Sequence, residues 1–390
     1  MSRLAAQKMF FNSKYVSTGS RADVKLALIR RQFAATGGAE LYTQRLLAAL
    51  AGAGHEVHLF AESWSEVPAD VQFSRVTLTG GRHQRPARFA QAVKGLLAES
   101  RFDCVFSLER TLQQHVYRAG DGVHGVWLER RRRFAPAWKR VFIGRSAFHR
   151  NILALEKQTL DPRNTGRVIV NSEMVRQEIL KYFSFPTDRI HLVRNGIEVR
   201  RFQGIDRTAA RKQFGLSPDD YVLLFVGSGW ERKGLKYLFQ AAKRIQSESK
   251  QERTNLKLLV VGKGRKPGSV PSNTIFTGPL SNVAAAYAAA DLFVFLPIYE
   301  PSANVVVEAL VAGLPVVTTI YNGASELIED GVNGTVVNDP ADTEQVAQAI
   351  QHWRAKRFYA PPLRAAGFSI DRNVAETIAV LELAAREKAQ

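Results

Sequence analysis

Two blocks of the chain repeat one rhythm: a short apolar run, a glycine-bearing loop, a stretch of helical period, then another apolar run. The first block starts with VKLALIR over 24–30, passes Gly37 and Gly38 into a helical stretch over about 39–53, and returns to apolar runs at 55–61, 102–108 and 168–170. The second starts with YVLLFV over 221–226, passes Gly227, Gly229 and Gly234 into a helical stretch over 235–248, and continues with runs at 256–261, 274–277, 292–296 and 315–318. Apolar runs without alternation suit strands buried on both faces, and strands that alternate with helices assemble into parallel sheets. The expected fold is therefore α/β, with two doubly wound Rossmann-like domains facing a cleft.

A chain of 390 residues suits two domains of ordinary size. The expected division is a disordered extension over 1–23, a first domain over 24–196, and a second over 197–370. Asn195 and Gly196 mark the hinge, and a last helix over 371–390 packs back on the first domain. A long basic helix is expected over about 136–160. Ser302 is expected to cap a helix that runs to about residue 312.

Composition narrows the chemistry. No apolar run reaches the ~18 residues of a membrane-spanning helix, and the first 22 residues lack the apolar centre of a secretory signal. Cys104 is the only cysteine, which excludes intramolecular disulfides and cysteine-cluster metal sites. It falls in an apolar run and reads as a buried, inert thiol, consistent with a reducing cytoplasm. Residues 1–200 hold 32 Lys and Arg against 17 Asp and Glu, whereas residues 201–390 hold 22 against 19. The first half therefore faces an anionic partner, a membrane surface or a nucleic acid.

Chemistry concentrates where strands give way to helices. Glu300 and Glu308 lie eight apart at one such junction, and Asn304 shares a helix face with Glu308. Ionised carboxylates there accept hydrogen bonds from sugar hydroxyls, while helix N-terminal amides attract phosphate. Earlier in the second block, Gly227 lets the backbone approach a ligand, and Arg232 and Lys233 project beside a helix start. In the first block Gly37 and Gly38 bridge strand and helix. They lack the G-x-G-x-x-G spacing of a dinucleotide site and the lysine of a P-loop, so NAD and ATP lose ground.

Taken in order, these motifs resemble the GT-B retaining glycosyltransferases of family 4. The resemblance runs from about residue 24 over most of the chain, through Val193-Arg-Asn-Gly-Ile197, the Arg232-Lys233 pair, Val260-Val-Gly-Lys-Gly264, the Glu300/Glu308 spacing and Asp330-Gly-Val-Asn-Gly334. It implies a nucleotide-sugar donor in the second domain and an acceptor in the first. Glu300 would contact the transferred hexose, Glu308 the ribose, and Asn304 the sugar and diphosphate. Arg232 and Lys233 would neutralise the leaving diphosphate, and Gly37 and Gly38 would reach it from the opposite side. No Asp-x-Asp occurs, so a metal-independent reaction is expected, with no cofactor and no metal site.

Within the family the chain resembles the lipopolysaccharide-core glucosyltransferases that place the first glucose on an inner-core heptose. Asp121 matches the position that orients or deprotonates the acceptor, and His124 matches the family's more widespread histidine. UDP-glucose is the donor this branch implies, with galactose, N-acetylglucosamine and mannose donors left open.

The basic stretch Arg130, Arg131, Arg132, Arg133, Phe134, Trp138, Lys139, Arg140 and Phe142 alternates cations with aromatics spaced by four. On a single helix this would form one aromatic face, which suits an anionic membrane interface and a lipid-anchored oligosaccharide acceptor. Peripheral attachment to the inner face of the cytoplasmic membrane is the expectation, and no nucleic acid is expected. Two other classes stay open: an epimerase, which would isomerise the free sugar nucleotide, and a non-catalytic basic binding protein, for which Glu308 would be incidental.

Overall fold

Parallel strand pairing runs through the whole molecule. The computed structural model describes residues 24–32, 38–64, 69–81, 83–248, 255–356 and 365–389. The first sheet comprises β1 (Lys25–Ile29), β2 (Glu56–Ala61), β3 (Val71–Arg75), β4 (Cys104–Ser107), β5 (Gln114–Arg118), β6 (Thr165–Val170) and β7 (Ile190–Leu192). Their order is β3-β2-β1-β4-β5-β6-β7. The second comprises β8 (Tyr221–Val226), β9 (Leu256–Val261), β10 (Thr274–Gly278), β11 (Leu292–Phe295), β12 (Val316–Thr319) and β13 (Gly334–Val337), ordered β10-β9-β8-β11-β12-β13.

Winding reverses between β1 and β4 in one sheet and between β8 and β11 in the other. Helices leave such a switch point toward opposite faces, so a crevice opens beyond the carboxyl ends of those strands. Central strands are buried as their composition requires, with all four residues of β11 at 0% exposure. The last helix, Ile370–Ala389, lies on the first sheet, where Val374 and Leu381 join Leu46, Leu50 and Val57 in one core cluster. Ile197 N–H donates to Phe368 O at 2.8 Å, tying the chain's return crossing to its hinge.

Several expectations need correction. Strands β3, β5, β7 and β13 were not expected, because VQFSR, QHVYR, IHL and GTVV are short and mostly interrupted by polar residues. The long helix expected over 136–160 is two helices, Ala137–Arg140 and Ala147–Thr159. Ser146 caps the second by accepting from His149 N–H, and Gly144 turns between them. Ser302 does not cap the helix Asn304–Val311, whose N-cap is Ala303. Asn322 holds the residue before that helix and caps its own turn, its Oδ1 accepting from Ala303 N–H at 3.2 Å and Ala324 N–H at 3.1 Å. Residues 1–23 and Gly37 lie outside the described residues.

Candidate active site

The carboxyl ends of the two sheets face each other across a cavity of about 470 Å³. The switch-point loops supply its chemistry: Arg31 follows β1, Glu109 follows β4, Arg232 follows β8, and Glu300 follows β11. Asp121, after β5, and His124 complete the first-domain side.

Glu300 is fixed by its own backbone, its N–H donating to Tyr321 O and its carbonyl accepting from Gly323 N–H, both at 2.8 Å. Arg232 Nη1 lies 3.0 Å from Glu300 Oε2. The pair is ionic, but its angle leaves that buried oxygen without a hydrogen bond. Arg232 is itself anchored, because its carbonyl accepts from Ile298 N–H at 3.1 Å. Lys233 folds over Gly227: a Cβ at that glycine would lie 2.7 Å from Lys233 Cδ. Burial lowers the Lys233 pKa, against the opposing pull of the Glu300 and Glu308 carboxylates.

Glu308 lies one turn into the helix Asn304–Val311, where Tyr287 Oη donates to its Oε2 at 2.7 Å. Burial raises the Glu308 pKa, while the Tyr287 hydrogen bond and the charges of Arg201 and Lys233 oppose it. Asn304 opens the helix, and its Oδ1 accepts from Asn195 Nδ2 at 2.9 Å. Two carboxylates, two cations and a helix N-terminus are thus assembled from two strand-to-helix junctions, those after β8 and β11. Such a set binds a polyol through the carboxylates and stabilises developing phosphate charge through the cations and amides.

On the opposite wall, Asp121 is exposed to the cavity. His124 starts the helix His124–Arg133, with Glu156 as its acceptor: His124 N–H donates to Oε1 at 2.7 Å and Gly125 N–H to Oε2 at 3.2 Å. Arg110 neutralises the same carboxylate at 2.9 Å. The His124 ring shares a 3.1 Å hydrogen bond with His149 and lies against Trp127. Burial, helped by Arg110 and His149, pushes its pKa down to about 4, so the imidazole is neutral at pH 7.

The basic stretch does not form a single aromatic face. Phe134 turns toward the second domain and meets Tyr321 and Tyr237 edge-on. Arg130 stacks on Tyr321, with 4.6 Å from guanidinium to ring centre, and Arg133 pairs with Asp339 at 3.2 Å. The change of chain direction after Phe134 separates it from Trp138 and Phe142, which are 68% and 69% exposed. Lys139 lies over the Trp138 ring, Arg131 over Trp127, Arg132 holds Ile143 O, and Arg140 holds Ala135 O.

A family model described as "Glycosyltransferase Family 4" matches residues 36–201, and one described as "Glycosyl transferases group 1" matches residues 220–355. Over 357 residues the chain is 26% identical to the lipopolysaccharide glucosyltransferase WaaG of Escherichia coli K12, covering 87% of this chain and 91% of that protein. The crystal structure of WaaG superposes with a TM-score of 0.71 at 25% identity, over 93% of this chain and 98% of the other. The chain belongs to the GT-B glycosyltransferases. A D-inositol 3-phosphate glycosyltransferase of Geodermatophilus obscurus is 31% identical over 248 residues, 57% of this chain and 54% of that protein. Anabaena Alr3699/HepE, solved in complex with UDP-glucose, shares the fold with a TM-score of 0.62 at 16% identity, over 94% of this chain and 98% of the other.

Several residues of this glycosyltransferase's cleft escape a reading by motif. Tyr287, Glu109, Arg110 and Glu156 reach the site from sequence positions far from the residues they hold. Only Glu109 and Arg110 carried a signal, because they directly follow the apolar run of β4, where a parallel sheet places its ligands.

Proposed function

We propose that this glycosyltransferase transfers glucose from UDP-glucose, with retention, to the heptose of a lipopolysaccharide inner core. The observation that carries the reading is the ion pair of Arg232 with Glu300, with Lys233 in the field of Glu300 and Glu308, at the crevice of the second sheet. As the bond from the anomeric carbon to the phosphate oxygen breaks, positive charge develops on the sugar and negative charge on the phosphate. Glu300 faces the first, and Arg232 and Lys233 face the second, so the transition state is stabilised more than the ground state. The two cations do the work that a divalent ion does elsewhere, and the reaction is metal-independent on this reading.

Asp121 orients the acceptor hydroxyl, whose proton passes to the departing phosphate. Glu308 holds the ribose diol and Asn304 the diphosphate end. The glucose and the lipopolysaccharide acceptor are supported by the resemblance to WaaG, a lipopolysaccharide glucosyltransferase, over most of both chains, and the uridine base and the heptose by the branch that the sequence motifs resemble. Peripheral attachment to the cytoplasmic membrane is supported by Trp138 and Phe142, exposed among Lys139 and Arg140. No helix among the described residues is long and apolar enough to cross a membrane.

The test is a thermal-shift panel of UDP-, GDP-, ADP- and CMP-sugars, with and without EDTA, on wild type and Glu308→Ala. Ligand at 100 times its Kd adds ~2.7 kcal/mol to stability. Stabilisation by UDP-glucose alone, insensitive to EDTA and lost in the variant, is expected, followed by transfer to heptose-terminated core lipid. Equal stabilisation of the variant sinks the donor assignment.

A further inference from the structure

Two arginines are more than nine-tenths buried among the described residues, and their surroundings differ. Arg211 meets the Asp291 carboxylate at 3.4 Å and donates to the carbonyls of Ala289, Ser217 and Asp220. Arg118, at the carboxyl end of β5, is 8% exposed and forms no ion pair with any described carboxylate. Its Nη2 donates to Asn195 Oδ1 at 3.0 Å, and its plane lies 4.6 Å from the centre of the Tyr42 ring. Its Nη1 is buried with no hydrogen-bond partner among the described residues. A guanidinium taken out of water without a counter-ion is strongly unfavourable, so this position calls for an anion.

The surrounding space defines which anion. Arg118 lines a cavity of about 150 Å³, large enough for a phosphate group and too small for a sugar nucleotide. Asn304, the first residue of the helix Asn304–Val311, forms part of its wall, and that helix end has no side-chain cap. A helix N-terminus carries partial positive charge and free amides. Arg118 and this helix end are linked through one residue, because Asn195 accepts from Arg118 and donates to Asn304. Arg30 and Asp121 line the same space. Asp121 repels a bare anion but suits a hydroxyl beside one, which is the pattern of a sugar joined to phosphate.

We propose that Arg118 is a phosphate-binding residue, which with the N-terminus of the helix Asn304–Val311 holds the phosphate attached to the transferred sugar. This rests on the donor reading above and adds a first-domain cation to Arg232 and Lys233. Donor phosphate then bridges both sheets, through Arg118 of β5 on one side and the helix that follows β11 on the other.

Calorimetric titration of the full chain with UDP, UMP and inorganic phosphate tests it, on wild type, Arg118→Gln and Arg118→Lys. Arg118→Gln is expected to weaken UDP at least tenfold while UMP stays within twofold, and Arg118→Lys to recover part of the loss. A role confined to packing would move UDP and UMP together, and that result overturns the proposal. So does a folded Arg118→Gln protein that binds UDP and phosphate as wild type does. Loss of inorganic phosphate alone, with UDP unchanged, overturns the donor assignment and gives Arg118 to a separate phosphate. Wild type that takes no UDP contradicts the donor reading, while the inorganic phosphate arm still reports on Arg118.

Discussion

Tyr299 of the second domain donates its hydroxyl proton to Glu178 of the first at 2.7 Å, and the same oxygen accepts from Val123 N–H at 2.8 Å. The ring is 2% exposed and sits in a first-domain core cluster, so it pegs one domain into the other beside Glu300. Burial, opposed by this hydrogen bond, raises the Glu178 pKa from an ordinary 4.5 to about 7.

The peg predicts a pH dependence of stability. Between pH 4.5 and about 7 the native carboxyl holds its proton more tightly than the unfolded one. The folded state therefore binds more protons, and stability falls as pH rises through that window. Glu178→Gln keeps an acceptor for Tyr299 and removes the titration. Its urea midpoint should fall less than that of wild type between about pH 5 and about pH 8. Parallel curves for the two proteins would refute the assignment.

Gly234 predicts a packing limit behind the cations. Its φ is +80°, and a Cβ there would lie 1.7 Å from Leu296 O, on rigid backbone at the end of β11. Left-handed strain and overpacking together should make Gly234→Ala lose about 3 kcal/mol or more. Urea unfolding measures the loss. Wild-type stability in the variant would refute a close approach of Gly234 to the Leu296 carbonyl.

Much of this architecture was legible because burial writes itself into composition. The runs YVLLFV and LKLLVV of β8 and β9 have no alternation, as strands covered on both faces must. The strand β5, QHVYR, carries a glutamine, a histidine and an arginine, so it does not resemble a buried strand, and Arg118 went unseen with it. Spacing also placed Glu300 and Glu308 at one strand-to-helix junction. It could not find Tyr287, 21 residues from Glu308, or Glu178, 121 residues from Tyr299, because contacts between distant segments leave no local periodicity. The basic stretch misled for a related reason: aromatics spaced by four imply one face only if the helix continues, and here the chain turns after Phe134.

Arg232 and Lys233 should divide the kinetics in a recognisable way. Arg232 is paired with Glu300, so removing it leaves a largely buried carboxylate without its cation while deleting a positive charge from the leaving group. Loss of one preorganised group at developing charge costs about 10²–10³ in kcat. Arg232→Ala is expected to fall in that range, with a smaller change in the KM for the sugar nucleotide. A variant with altered KM and unchanged kcat would assign Arg232 to ground-state binding instead.

Trp138 and Phe142 give the membrane reading its sharpest test, since they expose large apolar area and sit apart from Phe134, which serves the domain interface. Replacing both with Ala should leave folding stability within ~0.5 kcal/mol, because surface side chains of this kind contribute little to the folded core. The effect should fall on co-sedimentation with anionic vesicles. Lys139 and Arg140 then contribute attraction of about 1 kcal/mol each, which salt screens. The double variant is expected to bind such vesicles more weakly while turning over a detergent-dispersed acceptor normally. Wild-type vesicle binding by the variant would dismiss this patch as the membrane contact, and lost turnover on dispersed acceptor would place it in the acceptor site.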